Sequence, residues 1–237
     1  MNIKLIYSNL DPVGNVIKKL GYGFEEINED VINFTYEKGD AIVIFSRHQS
    51  KKGIPSLTVH YPGNPTHETM GGEPKKLGIA YPKLLTSIFR EIKKLNIDIE
   101  KTLEATHHGP THQRIPIIFV EVGSEMKYWT NEKIVKMVVD STIKAIDNVN
   151  EIYCKDFIVG FGGTHYPKPF NNLADENCIG HIISKHYIDK IDDEIILQAV
   201  KNSINSINKI VLDSLNASQR EHVMRVLRNL NIGIEFR

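Results

Sequence analysis

The segment Ala41-Ile42-Val43-Ile44-Phe45 is a continuous apolar run with the length of a β-strand. Strands that are apolar at every position are typical of sheets covered on both faces, as in α/β proteins. Comparable runs predict further strands at residues 3–7, 57–61, 102–106, 116–122, 157–161 and 233–236. The chain is therefore expected to build its sheet from short strands that are spread along the whole sequence.

Helical periodicity lies between these strands. Residues 82–95 carry apolar side chains at helical spacing, and similar stripes begin again near Asp193 and after Thr130, which we expect to cap its helix. Ser218 and Glu221 have the spacing of a capping box, which predicts the start of the last helix. The sequence contains no internal repeat and no low-complexity linker. The alternation predicts one α/β domain over residues 1–237.

Composition and charge exclude several classes of protein. The 237 residues are 41 % hydrophobic and 24 % charged, which excludes wholesale disorder. No apolar run approaches the roughly 20 residues of a membrane-spanning helix, and the N-terminal residues lack the cleavage region of a signal peptide. The 29 basic and 29 acidic residues cancel, which argues against binding nucleic acid by bulk electrostatics. With Cys154 and Cys178 as the only cysteines, we expect a reduced, cytoplasmic protein.

Nine of the ten histidines lie between residues 48 and 186, mostly where predicted strands end. Ligands of open α/β sheets bind beyond the carboxyl ends of parallel strands. The densest cluster is Glu104-Ala105-Thr106-His107-His108-Gly109-Pro110-Thr111-His112. Its imidazoles and carboxylate suit zinc or acid–base catalysis, although the spacing matches no standard zinc signature and loop histidines often only form hydrogen bonds. We expect Glu104, His107 and His108 to act in catalysis and His107, His108 and His112 to be candidate zinc ligands.

Polar residues also follow two other predicted strands. Ser46-Arg47-His48 comes after the apolar run at 41–45, and His60 lies near the end of the run at 57–61. Residues 62–78 are rich in glycine and proline and predict a long ordered loop, which is usually functional. The planar guanidinium of Arg47 suits a carboxylate or phosphate. We therefore assign Arg47, His48 and His60 to substrate binding.

Later segments add further candidates. Glu121 lies in a buried strand, where a carboxylate is costly unless a cation, a metal or hydrogen-bond donors face it, so it is a candidate metal ligand. His181 follows Cys178 at a spacing seen in some zinc sites and is a weaker candidate ligand. Paired glycines after a strand allow N–H groups to approach an oxyanion or a phosphate. The remaining candidates for substrate binding are Gly162, Gly163 and His165.

Taken together, these segments resemble the archaeal and plant type of D-aminoacyl-tRNA deacylase. The resemblance covers most of residues 1–190, and no motif histidine is missing. The matching pieces, in the order of the family, are Ser46-Arg47-His48, Leu57-Thr58-Val59-His60 with Pro62-Gly63-Asn64, residues 104–111, Glu121-Val122-Gly123-Ser124 and Gly162-Gly163-Thr164-His165-Tyr166.

The resemblance implies hydrolysis of the ester that joins a D-amino acid to the 3′-terminal adenosine of tRNA, with zinc as cofactor. It implies a fold related to phosphorylases and peptidyl-tRNA hydrolases, which we expect to be a mixed sheet flanked by helices. The expected partner is the aminoacylated 3′ end of tRNA, bound by a cytoplasmic monomer or small homo-oligomer without membrane contact. Lysines beside the site loops favour such a substrate, namely Lys51, Lys52, Lys75 and Lys76.

Three alternatives remain open at this point. The terminal ribose 2′-OH can assist catalysis while zinc is only structural. The same histidines also suit another zinc hydrolase or a phosphorylase-like enzyme acting on a small metabolite. A non-catalytic RNA-binding module is the third reading, and the shortage of basic runs disfavours it.

Overall fold

The computed structural model describes residues 1–50 and 53–237 as alternating strands and helices, so Lys51 and Lys52 lie outside the described residues. The strands are β1 (Ile3–Ser8), β2 (Glu25–Ile27), β3 (Ala41–His48), β4 (Ser56–His60), β5 (Gly63–Asn64), β6 (Lys76–Leu77), β7 (Glu100–Leu103), β8 (Ile117–Gly123), β9 (Phe157–Gly162), β10 (Cys178–Ile183), β11 (Lys209–Asp213) and β12 (Gly233–Phe236). The helices are α1 (Pro12–Lys19), α2 (Pro82–Lys93), α3 (Met126–Trp129), α4 (Glu132–Asp147), α5 (Lys168–Leu173), α6 (Lys185–Ile188), α7 (Asp193–Lys201) and α8 (Ala217–Leu227).

The strands form two sheets and one short ribbon. Six strands are arranged in the order β2-β1-β3-β8-β4-β7, four in the order β10-β9-β11-β12, and β5 pairs with β6. The larger sheet is mixed, because β4 runs antiparallel to β8 and parallel to β7. A mixed α/β architecture flanked by helices is therefore confirmed. The second sheet was not expected, because the sequence prediction missed β10 and β11.

The two faces of the larger sheet differ in character. One face carries Val43, Phe45 and Val120 into the main apolar core, which α1, α2 and α4 cover. The opposite face begins with a small apolar cluster that includes Ile44 and Phe119. Further along the same face the side chains become polar, because strand alternation places Ser46, Thr58 and Glu121 there. This polar half is where the candidate site lies.

The second sheet lies against the end of β7. Ala105 N donates to His165 O at 2.9 Å, and Thr106 N donates to Ile182 O at 2.8 Å. Apolar residues of both sheets share the main core, including Leu103 and Ile179. These contacts bring the segment after β9, which carries His165, beside the segment after β7. A single domain over residues 1–237 stays a prediction.

Two helix starts differ from the expected ones. The last helix, α8, is capped by Asn216 rather than Ser218, because the Asn216 side chain accepts from Gln219 N at 2.9 Å and Gln219 Oε1 accepts from Asn216 N at 3.2 Å. The capping box therefore lies two residues before the expected one. At α4 the cap is Asn131, the residue after Thr130, and its side chain accepts from Ile134 N at 3.2 Å.

The expectation of two reduced cysteines was wrong. Cys154 and Cys178 form a disulfide with a Cα–Cα distance of 5.2 Å. The bond joins the loop before β9 to the first residue of β10. The parallel pairing of β9 with β10 brings these two segments together in the fold, although they are 24 residues apart in sequence. Within residues 1–50 and 53–237, no helix combines the length and the apolar character needed to cross a membrane.

Candidate active site

Glu121 lies in the middle of the polar sheet face and is buried. The register of β8 with its two neighbours places it between Ser46 and Thr58. Oε1 of Glu121 accepts a hydrogen bond from Ser46 Oγ at 3.0 Å, and Oε2 accepts one from Thr58 Oγ1 at 3.4 Å. His48 Nδ1 lies 3.2 Å from Oε2. The strand pairing therefore places the hydrogen-bond partners of this carboxylate beside it.

The imidazoles around Glu121 keep it ionised. Burial by itself raises the pKa of Glu121, but the contacts with His108, His48 and His60 outweigh this and hold the pKa well below its usual range. The pKa of His48 is affected in the opposite sense. Burial lowers it, and the hydrogen bond with Glu121 together with the charge of Glu104 raises it above its ordinary value. Glu121 and His48 thus form a buried, charge-matched pair.

Glu104 is the second buried carboxylate, one residue beyond the end of β7. Its Oε1 lies 3.2 Å from His165 Nε2 and 3.5 Å from His48 Nδ1, and its Oε2 lies 3.8 Å from His60 Nε2. Neither oxygen makes a hydrogen bond within the part of the chain that the structure describes. Burial raises the pKa of Glu104, but the nearby His165 imidazole and the other histidines leave it below the ordinary value.

Three imidazoles of the cluster share one hydrogen-bond arrangement, in which Nδ1 faces a backbone carbonyl and Nε2 faces the cluster. In His60, His107 and His108, the Nδ1 atom lies within hydrogen-bond distance of a backbone carbonyl, which can only accept. Each Nδ1 therefore carries a proton, and Nε2 is the ring atom left to face the cluster. Burial lowers the pKa of His60, but the carboxylates of Glu121 and Glu104 outweigh this and raise it above its ordinary value. The ring centroids lie 4.2 to 4.8 Å apart. The carbonyls belong to Tyr61 at 3.1 Å, Ala105 at 2.9 Å and Gly109 at 2.6 Å.

The central imidazole of this group is uncharged. Burial lowers the pKa of His107 well below its ordinary value, and the neighbouring imidazoles of His60, His108 and His165 lower it further. A neutral imidazole with a free Nε2 is the form that binds a metal ion or accepts a proton.

The backbone at His108 turns sharply to aim its ring at the cluster. His108 has a φ of +46°, a left-handed conformation that is uncommon outside glycine. Its carbonyl accepts from Gly63 N at 2.6 Å, and the next amide, Gly109 N, donates to Met70 O at 2.9 Å. A Cβ on Gly109 would lie 2.5 Å from Ile32 O, so only glycine fits there. The loop after β4 therefore holds the turn in place.

Two clefts open onto this cluster. Both are bordered by His107, His108, His165 and Met70. The acidic cleft, of about 160 Å³, is lined further by Asp11, Asp30, Arg47, Glu104 and Glu121. The neutral cleft, of about 270 Å³, is lined further by Asn64, Thr66, Glu68, Thr69 and Tyr187.

The structure brings most of the predicted site residues together. One cluster contains Glu104, His107, His108, His48, His60, Glu121 and His165. Arg47 lines the acidic cleft, and its guanidinium carbon lies 6.0 Å from the centre of the Trp129 ring. The indole N–H of Trp129 in turn donates to His48 O at 3.0 Å.

Other predicted residues lie elsewhere. His112 is exposed, and its Nε2 lies 3.1 Å from Thr35 Oγ1, away from the cluster. Gly162 and Gly163 line neither cleft, and a Cβ on Gly162 would lie 1.8 Å from Asp213 O. Gly162 therefore allows β9 and β11 to approach closely. His181 is also outside the cluster.

Sequence reasoning missed Asp11 and the two residues that frame the neutral cleft, Met70 and Tyr187. Asp11 caps α1, where its side chain accepts from Val13 N at 2.9 Å, and it also accepts from Arg47 N at 3.1 Å. Burial raises its pKa to about 6 against these two hydrogen bonds. In the sequence, Asp11 followed by Pro12 is typical only of a helix start, and no pattern distinguishes Met70, in a loop, or Tyr187, in α6, from their neighbours.

Two clefts that meet at a buried cluster of imidazoles and carboxylates define an α/β enzyme. A sequence model of the D-aminoacyl-tRNA deacylase family matches residues 35–235. The D-aminoacyl-tRNA deacylase of Saccharolobus solfataricus is 69 % identical over 238 residues, with 100 % of both chains covered. The one from Sulfurisphaera tokodaii is 58 % identical with the same coverage. The chain belongs to the D-aminoacyl-tRNA deacylase family and is a hydrolase.

The fold also matches a solved structure. A crystal structure described as a conserved protein of unknown function superposes with a TM-score of 0.88 and 25 % identity. The match covers 99 % of this chain and 95 % of that chain.

His181 lies behind the cluster and supports it. It is fully buried, with Nδ1 at 2.9 Å from Thr106 Oγ1 and Nε2 at 3.1 Å from Gly78 O. Because the carbonyl can only accept, Nε2 carries the proton and Nδ1 accepts from the threonine hydroxyl. Both ring nitrogens are thus engaged by the protein, and burial lowers the pKa of His181 to about 4. His181 is a neutral structural residue in this arrangement.

The pKa of His181 predicts a pH-dependent loss of stability. Its pKa falls from an ordinary 6.5 to about 4 on folding, so the unfolded chain binds more protons between these values. Stability is therefore full above pH 6.5 and falls as the pH drops toward 4. His181→Gln keeps one donor and one acceptor but does not titrate. Between pH 7 and pH 5, the wild type should lose about 2 kcal/mol more free energy of unfolding than the variant. Denaturant titrations measure this difference, and equal losses in both proteins would contradict it.

Proposed function

We propose that this enzyme hydrolyses the ester between a D-amino acid and the 3′-terminal adenosine of tRNA, releasing both, with zinc held by His60, His107 and His108. Membership of the D-aminoacyl-tRNA deacylase family supports the reaction. One observation carries the metal assignment. Nε2 of His60 and both oxygens of Glu104 are buried and make no hydrogen bond among the described residues.

The residues present fit a zinc ion. Burying a carboxylate whose oxygens accept no hydrogen bond is costly, and a cation placed beside it offsets that cost. Imidazole nitrogen and carboxylate oxygen are ligands that zinc prefers. Three overlapping groups have ligand atoms within 4.8 Å of one another, namely His60, His107 and His108; Glu104, His107 and His165; and His48, Glu104 and Glu121. Zinc bound there would polarise the ester carbonyl and lower the pKa of a water molecule.

The protein's own groups complete the chemistry. His165 lies where the two clefts meet, and its side chain is 38 % exposed. Its Nε2 lies 3.2 Å from Glu104 Oε1, so the ring faces a carboxylate charge. From this position, the imidazole transfers a proton to the 3′ oxygen of the leaving ribose. His48 is held between Glu121 and the Tyr166 hydroxyl, which lies 3.2 Å from its Nε2, and it therefore positions Glu121.

The acidic cleft suits the aminoacyl half of the substrate. Its walls carry four carboxylates, those of Asp11, Asp30, Glu104 and Glu121, which outnumber Arg47 and the imidazole of His48, whose pKa is raised. The negative field attracts the α-ammonium of an aminoacyl ester. Rejection of the L-enantiomer follows if the inverted α-carbon places its side chain against these walls.

We also propose that the enzyme acts in the cytoplasm as a monomer or small homo-oligomer. The Cys154–Cys178 disulfide is compatible with this location, because intracellular proteins of hyperthermophilic archaea contain disulfides.

The release of D-tyrosine and L-tyrosine from charged tRNA, with and without a chelator, tests this function. We expect release of the D-enantiomer only, its loss in chelator, and its restoration by zinc. Equal rates for both enantiomers, or no release, would contradict the proposed reaction. Full activity after chelation, with no zinc remaining on the protein, would contradict a catalytic role of zinc and support the mechanism in which the ribose 2′-OH assists.

A matched pair of histidine substitutions tests the metal assignment. His107→Ala removes the central Nε2 and should lower kcat by at least about 100-fold, together with the zinc content of the purified protein. His112→Ala lies in the same segment but outside the cluster, so it should keep both. Deacylation kinetics and metal analysis measure the two effects. A reversed order, with His112→Ala inactive and His107→Ala active, would refute the ligand set.

A further inference from the structure

An ester substrate has an acyl half and an alcohol half that extend in different directions from the bond to be broken. A site for it needs two spaces that meet at the reacting groups. The acidic and neutral clefts both have His107, His108 and His165 in their walls. A larger cavity of about 340 Å³, lined by residues such as Ile54, Glu100 and Tyr166, includes none of these histidines. The two clefts therefore meet at these histidines, and the third cavity does not.

Charge decides which half of the substrate enters which cleft. The alcohol half is a nucleotide with a phosphate, and the walls of the acidic cleft repel that anion. The neutral cleft has one carboxylate, Glu68, whose side chain is 84 % exposed and lies 4.0 Å from Lys190 Nζ. Among the described residues, the rest of the wall carries no further carboxylate and consists of the three shared imidazoles, the Met70 side chain, hydroxyls, an amide, an aromatic ring and the stretch at residues 63–65. A nucleoside is therefore accepted in the neutral cleft and disfavoured in the acidic one.

Tyr187 gives the neutral cleft a rigid aromatic wall. Its backbone is fixed, because Tyr187 N donates to Ser184 O at 2.9 Å and Tyr187 O accepts from Lys190 N at 2.8 Å and from Ile191 N at 3.0 Å. Tyr187 packs, partly buried, on the apolar core of the second sheet and also lines the cleft. An ordered aromatic ring beside a cleft is a stacking surface for a nucleobase.

Met70 lies at the boundary between the two clefts. Met70 is 54 % exposed, although its backbone carbonyl accepts a hydrogen bond from Gly109 N at 2.9 Å. The thioether is polarizable and adapts to an aromatic partner. The backbone is thus fixed while the side chain is free to cover a base.

We propose that the neutral cleft binds the 3′-terminal adenosine of tRNA, with the adenine stacked on Tyr187 and covered by Met70. This inference rests on the proposed function and assigns the alcohol half of its substrate. The ribose then lies beside His107, His108 and His165, and the aminoacyl group enters the acidic cleft. Within the described residues the Tyr187 hydroxyl makes no hydrogen bond. The proposed contact with adenine therefore depends on the aromatic ring and not on the hydroxyl.

A binding cycle with uncharged tRNA tests this subsite. The dissociation constants of wild type and Tyr187→Ala are measured for tRNA ending in CCA and for the same tRNA without its terminal adenosine. Stacking predicts that the wild type binds the intact tRNA at least about fivefold more tightly. In Tyr187→Ala this preference should fall to about one. Tyr187→Phe should keep it, because the aromatic ring remains.

Matched controls make the result decisive. Tyr153 is 70 % exposed and lines neither cleft, so Tyr153→Ala should keep the preference of the wild type. If Tyr187→Ala does not fold, Thr69→Trp fills the same cleft and should abolish the preference in its place. A preference that persists in the folded variant, or that is absent from the wild type, would refute the subsite. Failure of the wild type to deacylate D-tyrosyl-tRNA is a separate result and would contradict the proposed function.

Discussion

The site depends on two carboxylates that the fold buries in ionised form. Glu121 and Glu104 lie at 5 % and 3 % exposure, and charges at such depth are costly unless cations or directed donors balance them. The surrounding imidazoles supply that balance, and they hold the pKa of both carboxyls below the ordinary value. Removing either carboxylate would change the charge, the tautomers and the ligand geometry of the whole cluster at once.

The sheet topology determines which residues meet these carboxylates. Because β4 runs antiparallel to β8, His60 lies beside Phe119 and stacks on its ring at 5.0 Å. The site therefore occupies a sheet face rather than the carboxyl edge of a wholly parallel sheet. The second sheet contributes His165 through the backbone contact with Ala105. Each sheet alone supplies only part of the cluster, and both are needed to form the two clefts.

The sequence was sufficient to predict the buried strands and the existence of the site, but not which residues are its metal ligands. The strand at 41–45 and the unusual position of Glu121 could be predicted, because an apolar run and a charged residue within such a run are local signals. Strand β10 was missed because Gly180 and His181 interrupt its apolar pattern. Whether a histidine offers Nε2 or is engaged on both nitrogens, as His181 is, depends on carbonyls and hydroxyls from distant segments. The disulfide depends on the pairing of β9 with β10, which is also non-local.

The central claim is that the Nε2 atoms of His60, His107 and His108 converge on one metal position. Anomalous diffraction at the zinc absorption edge, from crystals of the protein as purified, tests it most directly. We expect a peak at about 2.0–2.1 Å from these three nitrogens. An anomalous peak at His112 or His181, or well-ordered crystals in which only water lies between the three imidazoles, would contradict it.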